Sequence, residues 1–177
     1  MKLRFRDLNP EVTQAVAAAF AGIPAFDVRC ADVFTGAPAD AIVSPANSHG
    51  WMDGGIDLVY RQRFGEQIET NLQDLIAGLP TRLLAVGEAI ILATHDAQIP
   101  SMIAAPTMTV PSVVANTDNA YLAFRAVLRA VRHANFQSVI CPGLATLTGR
   151  MAPQESARQM RRAWDELMGL VPGYPVQ

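Results

Sequence analysis

The stretch "AIVSPANSHGWMDGGID", residues 41–57, predicts a strand that leads through a polar loop into a helix. Its first three residues are apolar and indicate a short buried strand, which ends at the Ser44–Pro45 pair. Gly54 and Gly55 stand immediately before a helical pattern that begins near Ile56. Bare backbone N–H groups and the positive end of a helix attract anions, most often phosphates. The stretch therefore predicts a phosphate-binding loop, with a tight turn before a helix as the alternative.

The polar side chains of this loop each have a functional and a structural interpretation. Asn47 lies where the chain leaves the predicted sheet and could hold a small polar ligand. Asp57 either complements the helix dipole in the first turn or acts on the ligand's hydroxyl groups or on an attacking water molecule. Asp53, His49 and Trp51 either contact the ligand or serve the turn and its local packing.

The rest of the chain alternates between strand and helix patterns. This alternation predicts an α/β fold with a mixed, largely parallel sheet that is covered on both faces. We expect the apolar runs 83–94 and 101–110 to be central strands of that sheet. The other strand patterns are residues 26–34, 39–45 and 138–142, and the helical patterns are residues 9–20, 55–78 with a break near Gly65, 117–134 and 153–170.

Composition limits the classes of function. The 177 residues carry a net charge of −2 and are 50% hydrophobic, so we expect one self-sufficient domain, 1–177, and no general affinity for nucleic acid. Lys2 is the only lysine, which excludes lysine-based covalent chemistry from almost every interpretation. Cys30 and Cys141 follow apolar patterns that favour reduced core thiols, with a catalytic cysteine as the alternative.

Neither a metal site nor a membrane segment is expected. No group of His, Cys and Asp has the spacing of metal ligands. Charged residues interrupt the first ten positions, and no apolar run approaches the roughly 18 residues of a membrane span, so we expect a soluble, cytoplasmic protein. The sequence leaves the oligomeric state open.

A second loop, "CPGLATLTGRM" at residues 141–151, follows another buried strand pattern and could form the opposite wall of a phosphate site. Arg150 is either a partner for a phosphate or a solvated loop residue. Asp32 could accept a hydrogen bond from an exocyclic amine such as that of adenine, or cap its own turn. The chain contains neither GxGxxG nor GxxxxGK[ST], so the dinucleotide fold of the Rossmann type and nucleoside triphosphatases are not supported.

Three segments, in order, resemble the macrodomain family, whose members bind ADP-ribose. They are "CADVFTGAPADAIVSPANSHGWMDGGID" (residues 30–57), "VGEAIILATHD" followed by "SMIAAPTM" (86–96 and 101–108), and "VICPGLATLTGRMAPQESARQM" (139–160). The resemblance implies a three-layer α/β/α fold around a central mixed, largely parallel sheet. It also implies a cleft for ADP-ribose or an ADP-ribosylated substrate, with no further cofactor.

The resemblance also assigns roles to individual residues. Asp32 would accept from the adenine amine, Asn47 would hold the distal ribose, and Asp57 would position or activate water at the anomeric carbon. Leu147 stands where the family usually has glycine, so a positive φ there would be strained. The implied ligand-binding residues are Asp32, Val33, Ala46, Gly54, Gly55, Ile56, Ala145, Thr146, Leu147, Thr148, Gly149 and Arg150.

The implied function is hydrolysis of ADP-ribosyl bonds on proteins or on small ADP-ribose derivatives, with Asp57 and Asn47 as catalytic residues. Three alternatives stay open. The chain could read ADP-ribose or a related nucleotide without turning it over, remove the phosphate from ADP-ribose 1″-phosphate, or serve as an interaction domain with a degenerate pocket. The absence of a lysine from these segments excludes the lysine-dependent mechanism of some macrodomains.

Overall fold

A six-stranded sheet forms the centre of the computed structural model, which describes residues 1–168. The strands are β1 (Lys2–Asp7), β2 (Phe26–Cys30), β3 (Ala41–Ser44), β4 (Ile90–Ala93), β5 (Ser101–Ala104) and β6 (Ser138–Cys141). The helices are α1 (Pro10–Ala19), α2 (Gly55–Phe64), α3 (Gln67–Ala77), α4 (Asn119–His133) and α5 (Pro153–Leu167), and a short 3₁₀ helix spans Val33–Gly36.

The sheet has the order β2-β1-β6-β3-β5-β4 and is mixed but largely parallel. Every neighbouring pair is parallel except β4 and β5, which run antiparallel. The carboxyl ends of the five parallel strands therefore meet at one edge of the sheet, where ligands of open α/β folds bind. The α/β fold expected from the sequence is confirmed.

Helices cover both faces of the sheet, as the strand side chains show. Ala41 and Val43 pack into a core with side chains of α1, α4 and α5, whereas Ile42 between them packs with α2 and α3. This alternation follows from the two-residue period of a strand, and both faces are apolar because both are covered. The result is a three-layer arrangement with α2 and α3 in one outer layer and the other three helices in the second.

Several helix boundaries follow from local chemistry. The Asn9 side chain accepts from the N–H of Glu11, and Pro10 occupies the first turn of α1, as predicted. Gly65 has a φ of +89° and separates α2 from α3, since left-handed backbone at that position favours glycine.

The structure corrects several sequence-based expectations. Of the strand patterns 26–34 and 101–110, only Phe26–Cys30 and Ser101–Ala104 form strands, and Val33–Gly36 is the 3₁₀ helix. Of the run 83–94 only Ile90–Ala93 forms a strand, β4, and it lies at the antiparallel edge of the sheet rather than at its centre. Gly87, with a φ of +99°, bends the chain before that strand. Strand β1 was not predicted, although it pairs with both β2 and β6. Cys30 ends β2 at the other edge and is exposed, so only Cys141 is a core thiol.

Within residues 1–168, no helix has the length and apolar character that a membrane crossing requires.

Candidate functional site

Two loops at the carboxyl ends of β3 and β6 line the opposite sides of a cleft of about 670 Å³. The ends of β1 and β2 contribute a third side. Thirteen of the fourteen residues assigned from the sequence lie along this cleft, and the exception, Arg150, is exposed and outside it. The thirteen are Asp32, Val33, Ala46, Asn47, Gly54, Gly55, Ile56, Asp57, Ala145, Thr146, Leu147, Thr148 and Gly149.

The first loop presents the amino end of α2 to the cleft. Gly54 precedes the helix in an extended conformation, and no side chain within residues 1–168 caps the first turn. Gly55 has a φ of +56°, which favours glycine. The N–H groups of a first helical turn have no partner inside the helix, and the helix dipole makes this end positive. This end of α2 can therefore bind an anion through its backbone.

The second loop presents a row of backbone amides. The N–H groups of residues 145–149 donate to no acceptor within the described part of the chain. Ala145 adopts a φ of +61°, and its carbonyl oxygen accepts from the N–H of Met151 at 3.0 Å. Gly149 is required by space, because a Cβ there would lie 2.5 Å from that carbonyl oxygen. Successive free amides in such a turn form a concave site for an anion.

Leu147 has no positive φ, so the strain that a leucine would have in left-handed backbone does not arise. The positive φ angles of this loop fall on Ala145 and Arg150, so Leu147 needs no left-handed backbone. Its side chain is 75% exposed, and its Cδ2 lies 3.8 Å from the position that a Cβ on Gly55 would occupy. Leu147 therefore reaches across the cleft from the second loop to the first.

Asp57 is a buried carboxyl group at the edge of the cleft. It is 8% exposed, and its Oδ1 accepts from the Ser44 hydroxyl at 2.6 Å. The pKa of Asp57 is raised to about 7: burial is the largest cause, the Ser44 hydrogen bond lowers the pKa, and the Glu69 carboxylate raises it. A carboxyl group with such a pKa can accept a proton near neutral pH.

The Asn47 side chain organises its own loop. Its Oδ1 accepts from the N–H groups of His49 and Trp51 at 3.1 and 3.2 Å, and its Nδ2 donates to the Trp51 carbonyl oxygen at 2.8 Å. The His49 and Trp51 rings stack with centroids 4.3 Å apart. For His49 this supports the packing interpretation, whereas Trp51 is 41% exposed and also lines the cleft.

Asp32 and Asp7 stand at the third side of the cleft. Asp32 Oδ1 accepts from the Phe34 N–H at 2.8 Å and so caps the 3₁₀ helix, which is the structural interpretation. Asp7 was missed by the sequence analysis because β1 was missed. Its Oδ2 accepts from the Gly143 N–H at 3.0 Å, which joins the end of β1 to the second loop.

The cleft can bind an anion through backbone groups rather than through basic side chains. Among the described residues that line it, Arg6 is the one basic residue, and its guanidinium is paired with Asp27 at 2.6 Å. Asp7, Asp32, Asp53 and Asp57 add negative charge. A bound phosphate would therefore depend on the amides of the two loops.

Comparison with known proteins identifies the family. The family model described as Macro domain matches residues 43–160, which is more than half of the chain. An uncharacterised protein of Aquifex aeolicus is 33% identical over 122 residues, which are 69% of this chain and 70% of that protein.

Two solved structures share the fold. The macrodomain of Mycobacterium tuberculosis DarG is similar with a TM-score of 0.65 at 20% identity, over 77% of this chain and 87% of that one. The Oceanobacillus iheyensis macrodomain, in a structure with ADP, has a TM-score of 0.65 at 18% identity, over 75% and 71% of the two chains. A mutant of the same macrodomain has been solved with ADPR. At these identities the structures support the fold alone, whereas the family model shows that the chain belongs to the macrodomain family.

Proposed function

We propose that this macrodomain binds ADP-ribose in the cleft and hydrolyses ADP-ribosyl bonds on proteins or small ADP-ribose derivatives. The observation that carries the proposal is the buried carboxyl group of Asp57, which lines the same cleft as the two amide-presenting loops. The ADP and ADPR bound to the Oceanobacillus iheyensis macrodomain support this class of ligand.

In the proposed complex the diphosphate lies between the amino end of α2 and the amides of residues 145–149. Both are anion sites built from backbone, which suits a cleft without a free basic side chain. The adenine amine donates to Asp32, whose Oδ2 has no donor within residues 1–168, beside the backbone of Val33. The distal ribose lies beside Ala46, Asn47 and the Gly54–Ile56 backbone, and Arg150 is left outside the binding site.

The proposed reaction uses one water molecule. Its oxygen forms a bond to C1″ of the distal ribose while the bond from C1″ to the acceptor oxygen breaks, and the acceptor leaves with that electron pair as a carboxylate. Asp57 takes the water's proton and later returns it to solvent. Asn47 keeps the loop beside the ribose in place. Positioning and electrostatic stabilisation supply most of the rate enhancement.

Turnover and binding measured together test the proposal. Wild-type protein is expected to release ADP-ribose from a peptide ADP-ribosylated on an acidic residue, and Asp57→Asn to slow this at least tenfold, or about 1.4 kcal/mol in the barrier. Asp74→Asn is the matched control, because it makes the same chemical change on an exposed surface of α3. Equal rates for wild type and Asp57→Asn would remove Asp57 from the reaction.

A reader of ADP-ribose is the second candidate, and the engagement of Asn47 favours it. Both polar ends of that side chain are already bonded within the loop, which reduces what Asn47 can offer a reacting ribose. Calorimetric binding of ADP-ribose without turnover of the peptide or of ADP-ribose 1″-phosphate would establish the reader. Release of phosphate from the latter alone would establish the phosphatase. No heat at millimolar ADP-ribose would leave only an interaction domain.

Domain extent and location belong to the same proposal. We propose a single macrodomain over residues 1–177 in the cytoplasm. The exposed free thiol of Cys30 supports a reducing compartment, where such a thiol persists.

A further inference from the structure

Ser44 and Asp57 form a buried pair beside the cleft. The Ser44 hydroxyl is fully buried at the end of β3 and donates to Oδ1 of Asp57 at 2.6 Å, whereas Oδ2 accepts from no donor in the described residues. We propose that Ser44 is a positioning residue for Asp57: its hydroxyl fixes one carboxylate oxygen and stabilises the ionised form, which leaves the other oxygen for the water molecule. This inference rests on the proposed hydrolysis.

The hydrogen bond does not have to hold α2 in place. Tyr60 lies one turn after Asp57 on the same face of the helix, and its buried hydroxyl donates to the Val43 carbonyl oxygen at 3.0 Å. This second bond joins α2 to the end of β3 independently of Ser44. The specific effect of the Ser44 hydroxyl therefore falls on the carboxyl group.

The charged and titratable groups around Asp57 strengthen this assignment. Glu69 on α3 disfavours the ionised form, although Arg61 pairs with it at 2.8 Å. Tyr60 stays neutral, because burial and then the Asp57 charge raise its pKa well above the usual value. Burial is the largest influence and raises the pKa of Asp57, which is about 7 once all three influences are combined. Among these side chains Ser44 alone favours the carboxylate, and it adds to the positive amino end of α2, which also favours the ionised form.

This assignment predicts a pH-dependent effect. If Asp57 must be ionised to accept the proton, loss of the hydroxyl shifts the acidic limb of the rate profile to higher pH. Well below that limb the rate then falls about tenfold for each unit by which the pKa rises. Above the limb this pH-dependent loss disappears, since the carboxyl group ionises in both forms, and the loss that remains measures the orientation that the hydroxyl provides. A residue that only supported the fold would lower the rate equally at every pH.

Ser44→Thr and Ser44→Val provide the test, because their side chains have nearly the same shape and only threonine keeps the hydroxyl. The readouts are the titration of Asp57 by carbon-13 NMR, with the signal assigned by its absence from Asp57→Asn, and the pH profile of ADP-ribose release. If the buried site cannot hold the extra methyl group of threonine or valine, Ser44→Ala is compared with wild type instead, because this pair also differs in the hydroxyl. Ser48→Ala is the matched control, because it removes another buried hydroxyl four residues further along the chain. That hydroxyl makes no bond to Asp57.

The expected result is a pKa of Asp57 at least one unit higher in Ser44→Val than in Ser44→Thr, with the acidic limb displaced equally and the Ser48→Ala profile unchanged. Identical titrations in the Thr and Val variants, or a rate lowered by the same factor at all pH values, would overturn the inference. An Asp57 titration that shifts as expected in a protein that releases no ADP-ribose would confirm the effect of Ser44 on the carboxyl group and refute the proposed hydrolysis.

Discussion

Gly149 lies directly against the carbonyl oxygen of Ala145, because a Cβ added to Gly149 would be only 2.5 Å from that oxygen. The same Cβ would lie 2.7 Å from Cγ2 of Val114. This oxygen belongs to the backbone and already accepts a hydrogen bond from the Met151 N–H. It therefore cannot move away without breaking that hydrogen bond and changing the loop. The shape of the second loop, and with it the row of free amides, depends on this contact.

We expect Gly149→Ala to weaken ADP-ribose binding at least tenfold, or about 1.4 kcal/mol, because the loop must open to admit the methyl group. Titration calorimetry measures the change. Gly78→Ala at the end of α3 is the control, because an added Cβ meets nothing closer than 3.4 Å and the site is on another element. Unchanged affinity in Gly149→Ala would show that the amides of this loop do not bind the ligand.

The buried hydroxyl of Tyr60 is expected to contribute to stability. Tyr60→Phe removes its bond to the Val43 carbonyl oxygen without changing the packed ring, so we expect the free energy of unfolding to fall by about 1–2 kcal/mol. Urea unfolding followed by circular dichroism measures this change. A loss below about 0.3 kcal/mol would indicate that the hydroxyl is not needed to hold α2 against β3.

Asp57 is expected to make stability depend on pH between about 4 and 7. Its pKa is raised from 3.8 to about 7, so the folded state binds the proton more tightly than the unfolded state does. The stabilisation of the protonated form is complete below pH 4 and is lost as the pH rises through 7. We expect Asp57→Asn, which cannot ionise, to be more stable than wild type at pH 8, by an amount on the order of 4 kcal/mol.

Urea unfolding of both proteins at pH 5 and pH 8 measures this effect. The difference between wild type and Asp57→Asn should be larger at pH 8, whereas Asp74→Asn should follow wild type at both values because Asp74 is exposed. A difference that does not change with pH would contradict the raised pKa.

Asp32 is expected to discriminate the adenine end of the ligand. Asp32→Ala should weaken binding of AMP and ADP-ribose at least fivefold and leave ribose 5-phosphate nearly unchanged, because only the first two carry the adenine amine. Asp32→Ser is the companion variant, since serine can still cap the 3₁₀ helix through the Phe34 N–H. Equal losses for all three ligands would mean that Asp32 acts only through the shape of its turn.

Short-range sequence patterns were sufficient to predict most of the helices and strands and the positions of the two loops. The start of α1, the break at Gly65 and the strand at Ala41–Ser44 depend on side chains that are neighbours in the sequence. Strand β1 was not predicted because Arg4 and Arg6 alternate with its buried Leu3 and Phe5. Its apolar pattern is therefore short and interrupted by charged residues. Arg6 is nevertheless buried, since Asp27 on the neighbouring strand pairs with it.

The order of the residues along the chain was enough to specify an α/β fold and the loops that form its cleft, because periodicity and turn chemistry are local properties. The macrodomain family came from the resemblance of three segments to that family. Residue order was not enough to predict the protonation of Asp57, the backbone conformation of Leu147 or the part played by Asp7. Two of these depend on groups that meet only after the strands have paired: Ser44 and Glu69 around Asp57, and Gly143 beside Asp7. The backbone of Leu147 depends instead on how the whole loop closes, with its positive φ angles at Ala145 and Arg150. Burial and hydrogen bonding between distant segments set these properties, since both change the cost of a charge by amounts that no local pattern contains.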